Sequence, residues 1–385
     1  MSERNRPLPS VGMVGGGQLA RMTHQAGIAL GVNFRVLAGS ATDSAALVCA
    51  DVQLGDDKSA ADLLTFAKSC DVLTFDHEHV PDPVLRELEA AGATVRPSRD
   101  TLRYAQDKLR MRTRAEELGA PCPRWRAVTT LAQVETFARN SGWPVVLKAA
   151  RGGYDGKGVW VVDSAEQAGV VVDRAAREQV PLLVEEQVAF TRELAVQVAR
   201  SPYGQLAVYP VVETVQRDGI CHEVVAPAPG LDEEKAMRAQ ELAIDLAHAL
   251  DVVGMLAVEL FETPEGVIVN ELAMRPHNSG HWTIEGAHTS QFEQHLRAVL
   301  DLPLGSPAPT APTTVMANVL GGTDPDVYGR YIHVMAKDPA VKVHFYGKQV
   351  RPGRKIGHVT VTGDDPTDLL ARARDAAAYL RGEPQ

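Results

Sequence analysis

Short apolar runs alternate with helical stretches along the first 120 residues of the chain. Val11–Val14, Phe34–Ala38 and Val72–Phe75 have the length and composition of buried strands. The helical stretches that follow them are Gln18–Leu30, Leu63–Cys70 and Val84–Ala91. Strands that alternate with helices at this spacing indicate a parallel sheet covered on both faces. The pattern predicts a doubly wound α/β unit at the start of the chain.

The middle of the chain has the pattern of antiparallel strands with two helices. The predicted strands are Val145–Lys148, Val159–Val162, Leu182–Glu185, a β-rich run from Leu194 to Val215, Met255–Phe261 and Val267–Asn270. The predicted helices are Ala165–Glu178 and Glu233–Leu250, the second with alanines and leucines at helical spacing. The last two strands flank a short turn and predict a hairpin.

Proline-rich segments divide the chain. Pro121-Cys122-Pro123 stops a helix and favours extended backbone, and Ser306–Pro312 holds three prolines in seven residues. Beyond the second segment, the pattern predicts the strands Thr314–Val319, Val341–Phe345 and Gly357–Thr362 and the helix Pro366–Leu380. We therefore expect three parts, at 1–122, 123–308 and 309–385.

Composition narrows the class of protein. Of 385 residues 45% are hydrophobic and 23% charged, and the formal net charge of −10 argues against a general nucleic-acid or membrane-surface binder. The four cysteines are widely spaced, which fits neither a zinc site nor a disulfide framework. The sequence has no signal-peptide pattern and no run of about 18 apolar residues, so we expect a cytoplasmic protein.

Two glycine-rich loops are candidates for binding anions. Gly15-Gly16-Gly17 follows a strand and opens a helix, where backbone amides face a phosphate or a carboxylate. This loop is compatible with binding a dinucleotide, with binding another anionic ligand, or with a tight turn that has only a structural role. We favour an anionic ligand other than a dinucleotide. Gly152–Gly158 has four glycines in a predicted hairpin and follows Lys148, which ends an apolar strand. We favour a loop that closes over a triphosphate above a plain flexible hairpin tip.

The hairpin Met255–Glu271 carries candidate metal ligands. Glu259 interrupts an apolar strand, and Asn270-Glu271 ends the facing strand. Burying each carboxylate without a partner costs several kcal/mol. A divalent cation that binds both carboxylates and also phosphates would compensate their charge. The alternative is that both side chains point to solvent.

Three polar segments complete the candidate chemistry. Arg275–Thr283 is dense in hydrogen-bonding groups and predicts a substrate loop, because Pro276 and Gly280 disfavour the helix that a zinc site at His277 and His281 requires. The run from Lys342 to His358 is basic and free of acids, typical of a phosphate site or a solvated loop. Asp76-His77-Glu78-His79 ends a strand where doubly wound sheets bind ligands; a histidine metal site there has no further support.

Together these segments resemble the N5-carboxyaminoimidazole ribonucleotide synthetase family of the ATP-grasp superfamily. The resemblance spans nearly the whole chain, and the Tyr154-Asp155-Gly156 loop with His277–Trp282 is its most specific part. Two positions depart from the family's pattern: Met274-Arg275-Pro276 replaces Pro-Arg-Val, and Gln216 stands where some relatives have a histidine. The implied fold is α/β (α+β): a doubly wound parallel-sheet domain, a central ATP-grasp domain with a small mobile subdomain at about 123–190, and a small β-rich C-terminal domain.

The resemblance also implies a role for individual residues. The implied ATP site comprises Lys108, Lys148, Gly152, Gly153, Tyr154, Asp155, Gly156, Lys157, Gly158, Glu185, Glu186, Gln187, Val188, Glu193, Asn270 and Glu271. The implied ligands of magnesium, or of manganese, are Glu259 and Glu271. The implied ribonucleotide site comprises Gln18, Leu19, Glu78, Asn278, Lys348, Arg354 and Lys355. The residues implied to surround the carboxylation step are Tyr154, Asp155, Lys157, Arg275, His277 and Lys348.

The implied activity is ATP-dependent carboxylation of aminoimidazole ribonucleotide by bicarbonate through carboxyphosphate, in purine biosynthesis. The expected partners are small molecules, with no nucleic acid and no membrane, and the expected assembly is a homodimer. A formate-dependent glycinamide ribonucleotide transformylase is the nearer alternative, which Trp282 and the loop at 154–155 disfavour. The other alternative is a nucleotide-binding regulatory protein without turnover. The presence of Lys148 together with Glu259 and Glu271 disfavours it.

Overall fold

The N-terminal sheet is parallel throughout in the computed structural model, which describes residues 8–153 and 156–383. Its strand order is β3-β2-β1-β4. The strands are β1 (Ser10–Val14), β2 (Asn33–Ala38), β3 (Asp51–Leu54) and β4 (Val72–Phe75), and the helices are α1 (Gln18–Leu30), α2 (Ala60–Ala67) and α3 (Asp82–Ala90). The predicted parallel sheet is confirmed.

Two details of this unit differ from the prediction. The edge strand β3 was not predicted, because its sequence Asp-Val-Gln-Leu is only partly buried and carries no apolar run. Helix α2 begins and ends three residues earlier than predicted. Its cap explains the start, since the Ser59 hydroxyl accepts a hydrogen bond from the backbone N–H of Asp62.

Two further helices that were not predicted lead into the middle of the chain: α4 (Arg99–Gln106) and α5 (Lys108–Glu117). Asp107 separates them, and its carboxylate caps α5 by accepting from the backbone N–H groups of Leu109 and Arg110. The backbone N–H of Lys108 donates to the carbonyl of Ala150 at 2.8 Å, which fixes the start of α5 against the next sheet.

That next sheet is a small antiparallel one with strand order β5-β8-β6-β7. Its elements are β5 (Trp125–Val128), α6 (Leu131–Ser141), β6 (Val145–Ala149), β7 (Val159–Val162), α7 (Ala165–Glu178) and β8 (Leu182–Glu186). The hairpin of β6 and β7 around the glycine-rich loop is confirmed, whereas β5 and α6 were not predicted. Valine, leucine and alanine side chains from the sheet and both helices form its core.

The largest sheet has nine strands, in the order β14-β13-β9-β11-β12-β15-β17-β16 with β10 paired to β9. Its strands from the middle of the chain are β9 (Arg192–Arg200), β10 (Leu206–Val208), β11 (Val212–Arg217), β12 (Ile220–Ala226), β13 (Gly254–Thr263) and β14 (Gly266–Ala273). The β-rich run predicted over 194–215 is thus three strands. Helix α8 (Glu233–Ala249) buries the predicted stripe of Ala239, Ala243 and Leu246.

The C-terminal strands continue the same sheet, because β12 pairs with β15. The remaining elements are α9 (Thr283–Gly286), α10 (Gln291–Val299), β15 (Thr313–Leu320), α11 (Tyr331–Lys337), β16 (Lys342–Phe345), β17 (Lys355–Gly363) and α12 (Pro366–Arg381). The predicted C-terminal strands and closing helix are confirmed. Among the helices in the described part of the chain, none combines the length and the apolar character needed to cross a bilayer.

Candidate active site

A cavity of about 1240 Å³ lies where the N-terminal sheet, the small antiparallel sheet and the hairpin of β13 and β14 meet. Most residues singled out in the sequence line it. They are Gln18, Leu19, Glu78, Lys108, Lys148, Gly152, Gly153, Gly156, Glu185, Glu186, Gln187, Val188, Glu193, Glu259, Asn270, Glu271, Arg275, His277, Asn278 and Lys355. Gln216, the position that departs from the family's pattern, lines it as well.

Six of the expected site residues are not among the lining residues. Tyr154 and Asp155 lie outside the described residues. Lys157 and Gly158 follow in the same glycine-rich loop, where Lys157 is exposed. The other two are Lys348 and Arg354, in the basic segment of the C-terminal part.

The basic segment is spread out instead of forming one cradle. The Lys348 ammonium contacts the Gln18 side-chain oxygen at the cavity edge and lies 5.8 Å from the centre of the Tyr346 ring. Lys355 begins β17 and reaches the cavity, whereas Arg354 is exposed and donates to the backbone carbonyl of Gln349 at 3.3 Å. The described positions therefore bring two of these cations toward the cavity and leave Arg354 in solvent.

A buried cluster of charges presents Lys148 to the cavity. The Glu185 carboxylate accepts from the Arg112 Nε at 2.6 Å and from the Lys148 Nζ at 2.7 Å. Arg112 also donates to the backbone carbonyls of Val269 and Asn270, both at 2.9 Å. Burial opposes the ionisation of Glu185, but the two cations outweigh it and lower the pKa of the carboxyl group.

Arg112 is a site residue that the sequence analysis missed. Helix α5, Lys-Leu-Arg-Met-Arg-Thr-Arg-Ala-Glu-Glu, has no apolar stripe from which to predict which side chain is buried. Its spacing from Lys108 could have predicted that Arg112 lies near the site, because side chains four residues apart share one face of a helix. That face is directed at the cavity, since Lys108 contacts the Glu271 carboxylate.

A bulge in β14 directs two neighbouring side chains into the site. Glu259 pairs with Glu271 across the hairpin, but Leu260 pairs with Val269, so Asn270 is the extra residue. Regular alternation would place Asn270 and Glu271 on opposite faces. The bulge lets both line the cavity, where the Asn270 side-chain oxygen accepts from the Lys148 Nζ at 3.0 Å.

Glu259 and Glu271 face each other across the hairpin, with Glu193 nearby, and concentrate negative charge where a divalent cation would be held. Burial, together with the negative charges of Glu271 and Glu193, raises the pKa of Glu259 to about 8. Burial also raises the pKa of Glu193 to about 7, with Lys148 opposing the rise. Within residues 8–153 and 156–383 no three His, Cys, Asp or Glu side chains form a complete metal site. Two facing carboxylates are nonetheless the protein ligands expected for a divalent cation when phosphate oxygens supply its remaining ligands.

Glu78 and Arg275 form an ion pair that joins the N-terminal sheet to the end of β14. The Glu78 carboxylate accepts from the Arg275 Nε and from the backbone N–H of Met274, both at 2.9 Å. Burial alone would lower the pKa of Arg275, but the carboxylate of Glu78, together with those of Asp76 and Glu259, raises it above its ordinary value. The resemblance implied that Glu78 belongs to the ribonucleotide site, and the structure shows its carboxylate holding Arg275 at the cavity wall.

His277 and Asn278 lie in the turn after β14, which contains a short 3-10 helix at Asn278–Gly280. Burial, followed by the charges of Arg275 and Lys355, holds the pKa of His277 well below its ordinary 6.5. Its Nε2 lies 3.6 Å from the Glu259 Oε1. The side-chain amides of Asn278 and Asn318 bond to each other at 2.7 and 3.0 Å, which fixes the Asn278 side chain where it lines the cavity.

The N-terminal glycine loop has a structural reason for two of its glycines. The buried Asp76 carboxylate accepts from the Gly17 backbone N–H at 2.5 Å. A Cβ on Gly15, whose φ is +104°, would lie 1.8 Å from the same carboxylate. The chain's own carboxylate thus takes one amide that we expected to face an anionic ligand, while Gln18 and Leu19 line the cavity.

Comparison with known proteins defines the class first. Residues 113–292 match the ATP-grasp domain family, residues 8–106 the ribonucleotide synthetase preATP-grasp domain, and residues 314–372 the phosphoribosylaminoimidazole carboxylase C-terminal domain. The chain is therefore an ATP-grasp protein with all three parts of such a synthetase.

Individual relatives narrow the class. The chain is 54% identical to the N5-carboxyaminoimidazole ribonucleotide synthase of Mycobacterium bovis, over 97% of this chain and 88% of the relative. The Thermus thermophilus synthetase structure is 38% identical with a TM-score of 0.86, covering 97% and 99% of the two chains. An Aspergillus clavatus synthase, solved with ADP and 5-aminoimidazole ribonucleotide, is 32% identical with a TM-score of 0.88, covering 97% and 98%. The chain belongs to the N5-carboxyaminoimidazole ribonucleotide synthase family.

Proposed function

We propose that the chain carboxylates 5-aminoimidazole ribonucleotide with bicarbonate, converting ATP to ADP and phosphate and forming N5-carboxyaminoimidazole ribonucleotide. The observation that carries this proposal is one cavity that joins three kinds of group. These are a buried lysine held by Glu185, facing carboxylates at Glu259 and Glu271, and the polar turn at 275–278. The Aspergillus relative, which holds ADP and the ribonucleotide, supports the same pair of ligands.

The proposed ATP site lies between the small sheet and the β13–β14 hairpin. Lys148 and Lys108 are proposed to supply positive charge to the phosphates. The glycine-rich loop, of which Gly152, Gly153 and Gly156 line the cavity, is proposed to cover the phosphates with backbone amides. Residues 185–188 and Glu193 line the adjoining part of the cavity, where we place the nucleoside. The Glu185 carboxylate faces Arg112 and Lys148, so its proposed contribution is to hold Lys148 in place.

Glu259 and Glu271 are the proposed ligands of a magnesium or manganese ion. When bound, such an ion neutralises charge on the transferring phosphoryl group. Glu271 already contacts the Lys108 ammonium. The lysine would therefore bind the phosphates directly, and the carboxylate would bind the same phosphates through the metal ion.

The proposed ribonucleotide site lies between the N-terminal sheet and the C-terminal part of the chain. The proposed contacts are Gln18, Leu19, Glu78, Asn278, Lys348, Arg354 and Lys355. Gln18 and Lys348 contact each other across this boundary. Arg354 is exposed, so its part in the proposal is an approach to the substrate's phosphate from the rim.

The proposed reaction has two steps. A bicarbonate oxygen attacks the γ-phosphorus of ATP and releases ADP, giving carboxyphosphate. The substrate amine then takes the carboxyl carbon, either directly or as CO₂ released in the closed site, while phosphate leaves and the amine loses a proton. The residues proposed to surround this step are Tyr154, Asp155, Lys157, Arg275, His277 and Lys348. Asp155 is our candidate to orient the amine.

The test measures phosphate release from MgATP and bicarbonate with and without aminoimidazole ribonucleotide. The proposal predicts strong stimulation by the ribonucleotide and incorporation of labelled bicarbonate into an acid-labile product. Hydrolysis that ignores the ribonucleotide, or that responds to formate with glycinamide ribonucleotide, contradicts it. An Asp155→Asn variant that carboxylates at the unchanged rate removes the role given to Asp155.

We also propose that the enzyme is a cytoplasmic homodimer, as the family resemblance suggests. Light scattering after gel filtration tests the assembly, and a single mass near 41.5 kDa contradicts it. Cell fractionation tests the location.

A further inference from the structure

A chain of buried hydrogen bonds ends on the imidazole of His277. Gln197, in the middle of β9, donates from its side-chain nitrogen to the Ser279 Oγ at 2.7 Å. The Ser279 Oγ lies 2.7 Å from the Nδ1 of His277. Gln197 is 0% exposed and Ser279 1% exposed, so no solvent competes for these bonds.

One backbone contact indicates the direction of the hydrogen bonds along this chain. The backbone N–H of Ser279 also points at the His277 Nδ1, at 3.4 Å, and a backbone N–H can only donate. Nδ1 is therefore an acceptor, and the Ser279 hydroxyl donates to it. If the Gln197 amide were reversed, the Ser279 hydroxyl would donate to the Gln197 oxygen. The lone pairs of the Ser279 Oγ and the His277 Nδ1 would then face each other across 2.7 Å. The observed orientation avoids this repulsion.

A second buried side chain holds the backbone of His277. The side-chain oxygen of Gln291 accepts from the His277 backbone N–H at 2.9 Å, and its nitrogen donates to the His277 carbonyl at 2.8 Å. The backbone of His277 is thus held by Gln291, and its ring is held at Nδ1 by Ser279. Its other nitrogen, Nε2, lies at the cavity wall beside Glu259.

We propose that Ser279 and Gln197 are positioning residues, which hold the His277 ring with Nδ1 as a hydrogen-bond acceptor and the Nε2–H directed into the cavity. The inference rests on the proposed carboxylation and deepens it. A ring that accepts hydrogen bonds at Nδ1 carries its proton on Nε2. His277 then donates a hydrogen bond to an anionic oxygen of bicarbonate or carboxyphosphate. Because its cavity-facing nitrogen has no lone pair, it does not take the proton that leaves the amine.

The kinetic test is a double-mutant cycle of Ser279→Ala with His277→Asn. We expect Ser279→Ala to lower kcat about tenfold, within the range for residues that orient an active group, with the KM for ATP within about twofold. In the His277→Asn background it should lower kcat no further, because the group it positions is gone. Ser201→Ala, a buried serine remote from the cavity, is the matched control and should leave kcat unchanged.

An equal loss from Ser279→Ala in both backgrounds, or no loss in the wild-type background, overturns the proposal. If Ser279→Ala does not fold, Gln197→Met replaces it in the same cycle, because methionine keeps the length of the side chain and removes the donor. The expected loss is then smaller, about threefold, since the Ser279 hydroxyl still reaches His277, and the same criterion applies.

The second test reads the ring directly. Protein labelled with ¹⁵N-histidine is examined by NMR, and the His277 signals are assigned by their loss in His277→Asn. The proposal predicts an unprotonated Nδ1 and a protonated Nε2 in the wild-type protein, and a protonated Nδ1 overturns it. This measurement needs no turnover, so failure of the proposed carboxylation and failure of the positioning role are distinguished.

Discussion

The buried charge cluster around Glu185 gives the sharpest quantitative prediction. Glu185→Gln keeps the size of the side chain and removes its negative charge. The side chain of Glu185 is 3% exposed, and its partners Arg112 and Lys148 are 1% and 10% exposed. The substitution leaves two cations in a nearly dry environment without their shared anion.

The magnitude follows from what each cation retains. Arg112 keeps its two bonds to backbone carbonyls, and Lys148 keeps the Asn270 side-chain oxygen, but none of these is charged. Removing one partner of a buried ion pair typically costs 3–5 kcal/mol because the other charge stays uncompensated. We therefore expect Glu185→Gln to lower the free energy of unfolding of the small sheet by about 3–5 kcal/mol.

Tryptophan fluorescence during urea unfolding measures this change. Three of the four tryptophans, Trp125, Trp143 and Trp160, lie in or beside the small sheet, so the signal reports mainly on that unit. The matched control is Glu186→Gln, the next residue on β8. Its partner Arg124 is 64% exposed, and exposed pairs contribute about 0–1 kcal/mol.

The reasoning is refuted if Glu185→Gln and Glu186→Gln differ by less than about 1 kcal/mol, the range of exposed pairs. It is also refuted if Glu185→Gln is the more stable of the two. Either outcome would mean that water or a rearranged side chain compensates the two cations.

Three other predictions follow from the site and its supports. Burial lowers the pKa of His295 to about 3 from an ordinary 6.5, so between pH 7 and 5 the unfolded chain takes up a proton that the folded protein does not. The free energy of unfolding of the wild-type protein, measured in urea, should therefore fall by about 2 kcal/mol more over this pH range than that of His295→Gln. An equal fall in both proteins contradicts this. Glu259→Gln should raise the magnesium concentration for half-maximal turnover at least about 100-fold, with the exposed Glu265→Gln as its control; an unchanged magnesium titration excludes Glu259 as a ligand. Gln18→Ala should raise the KM for the ribonucleotide about tenfold and leave the KM for ATP unchanged, because Lys348 loses a charge-assisted hydrogen bond; a shift in the KM for ATP alone argues against this placement.

Local patterns predicted the parts of the site that lie on regular strands. Glu259 and Glu271 each interrupt or end an apolar strand, and the short turn between the strands sets their pairing. The bulge at Asn270 was beyond this argument, because no glycine or proline marks it in Val-Asn-Glu. Its position depends on contacts with Lys148 and Arg112, which come from distant segments of the chain.

Buried polar residues were the main omission. Arg112 is buried because Glu185 and two backbone carbonyls surround it, a set of partners that only the tertiary structure assembles. Gln197 was a detectable case, since it is a lone polar residue in the apolar run Leu194–Ala199. Such a residue on a buried strand must find a partner, but the sequence does not say which one.

The most direct test of the account follows oxygen from bicarbonate into phosphate. If one cavity couples ATP consumption to carboxylation, ¹⁸O-labelled bicarbonate must attack the γ-phosphorus, and its bridging oxygen leaves with the phosphate. With MgATP and aminoimidazole ribonucleotide present, we predict one ¹⁸O atom in each phosphate released, measured by mass spectrometry. Unlabelled phosphate would mean that water is the nucleophile, and the proposed coupling of ATP to carboxylation would then be wrong.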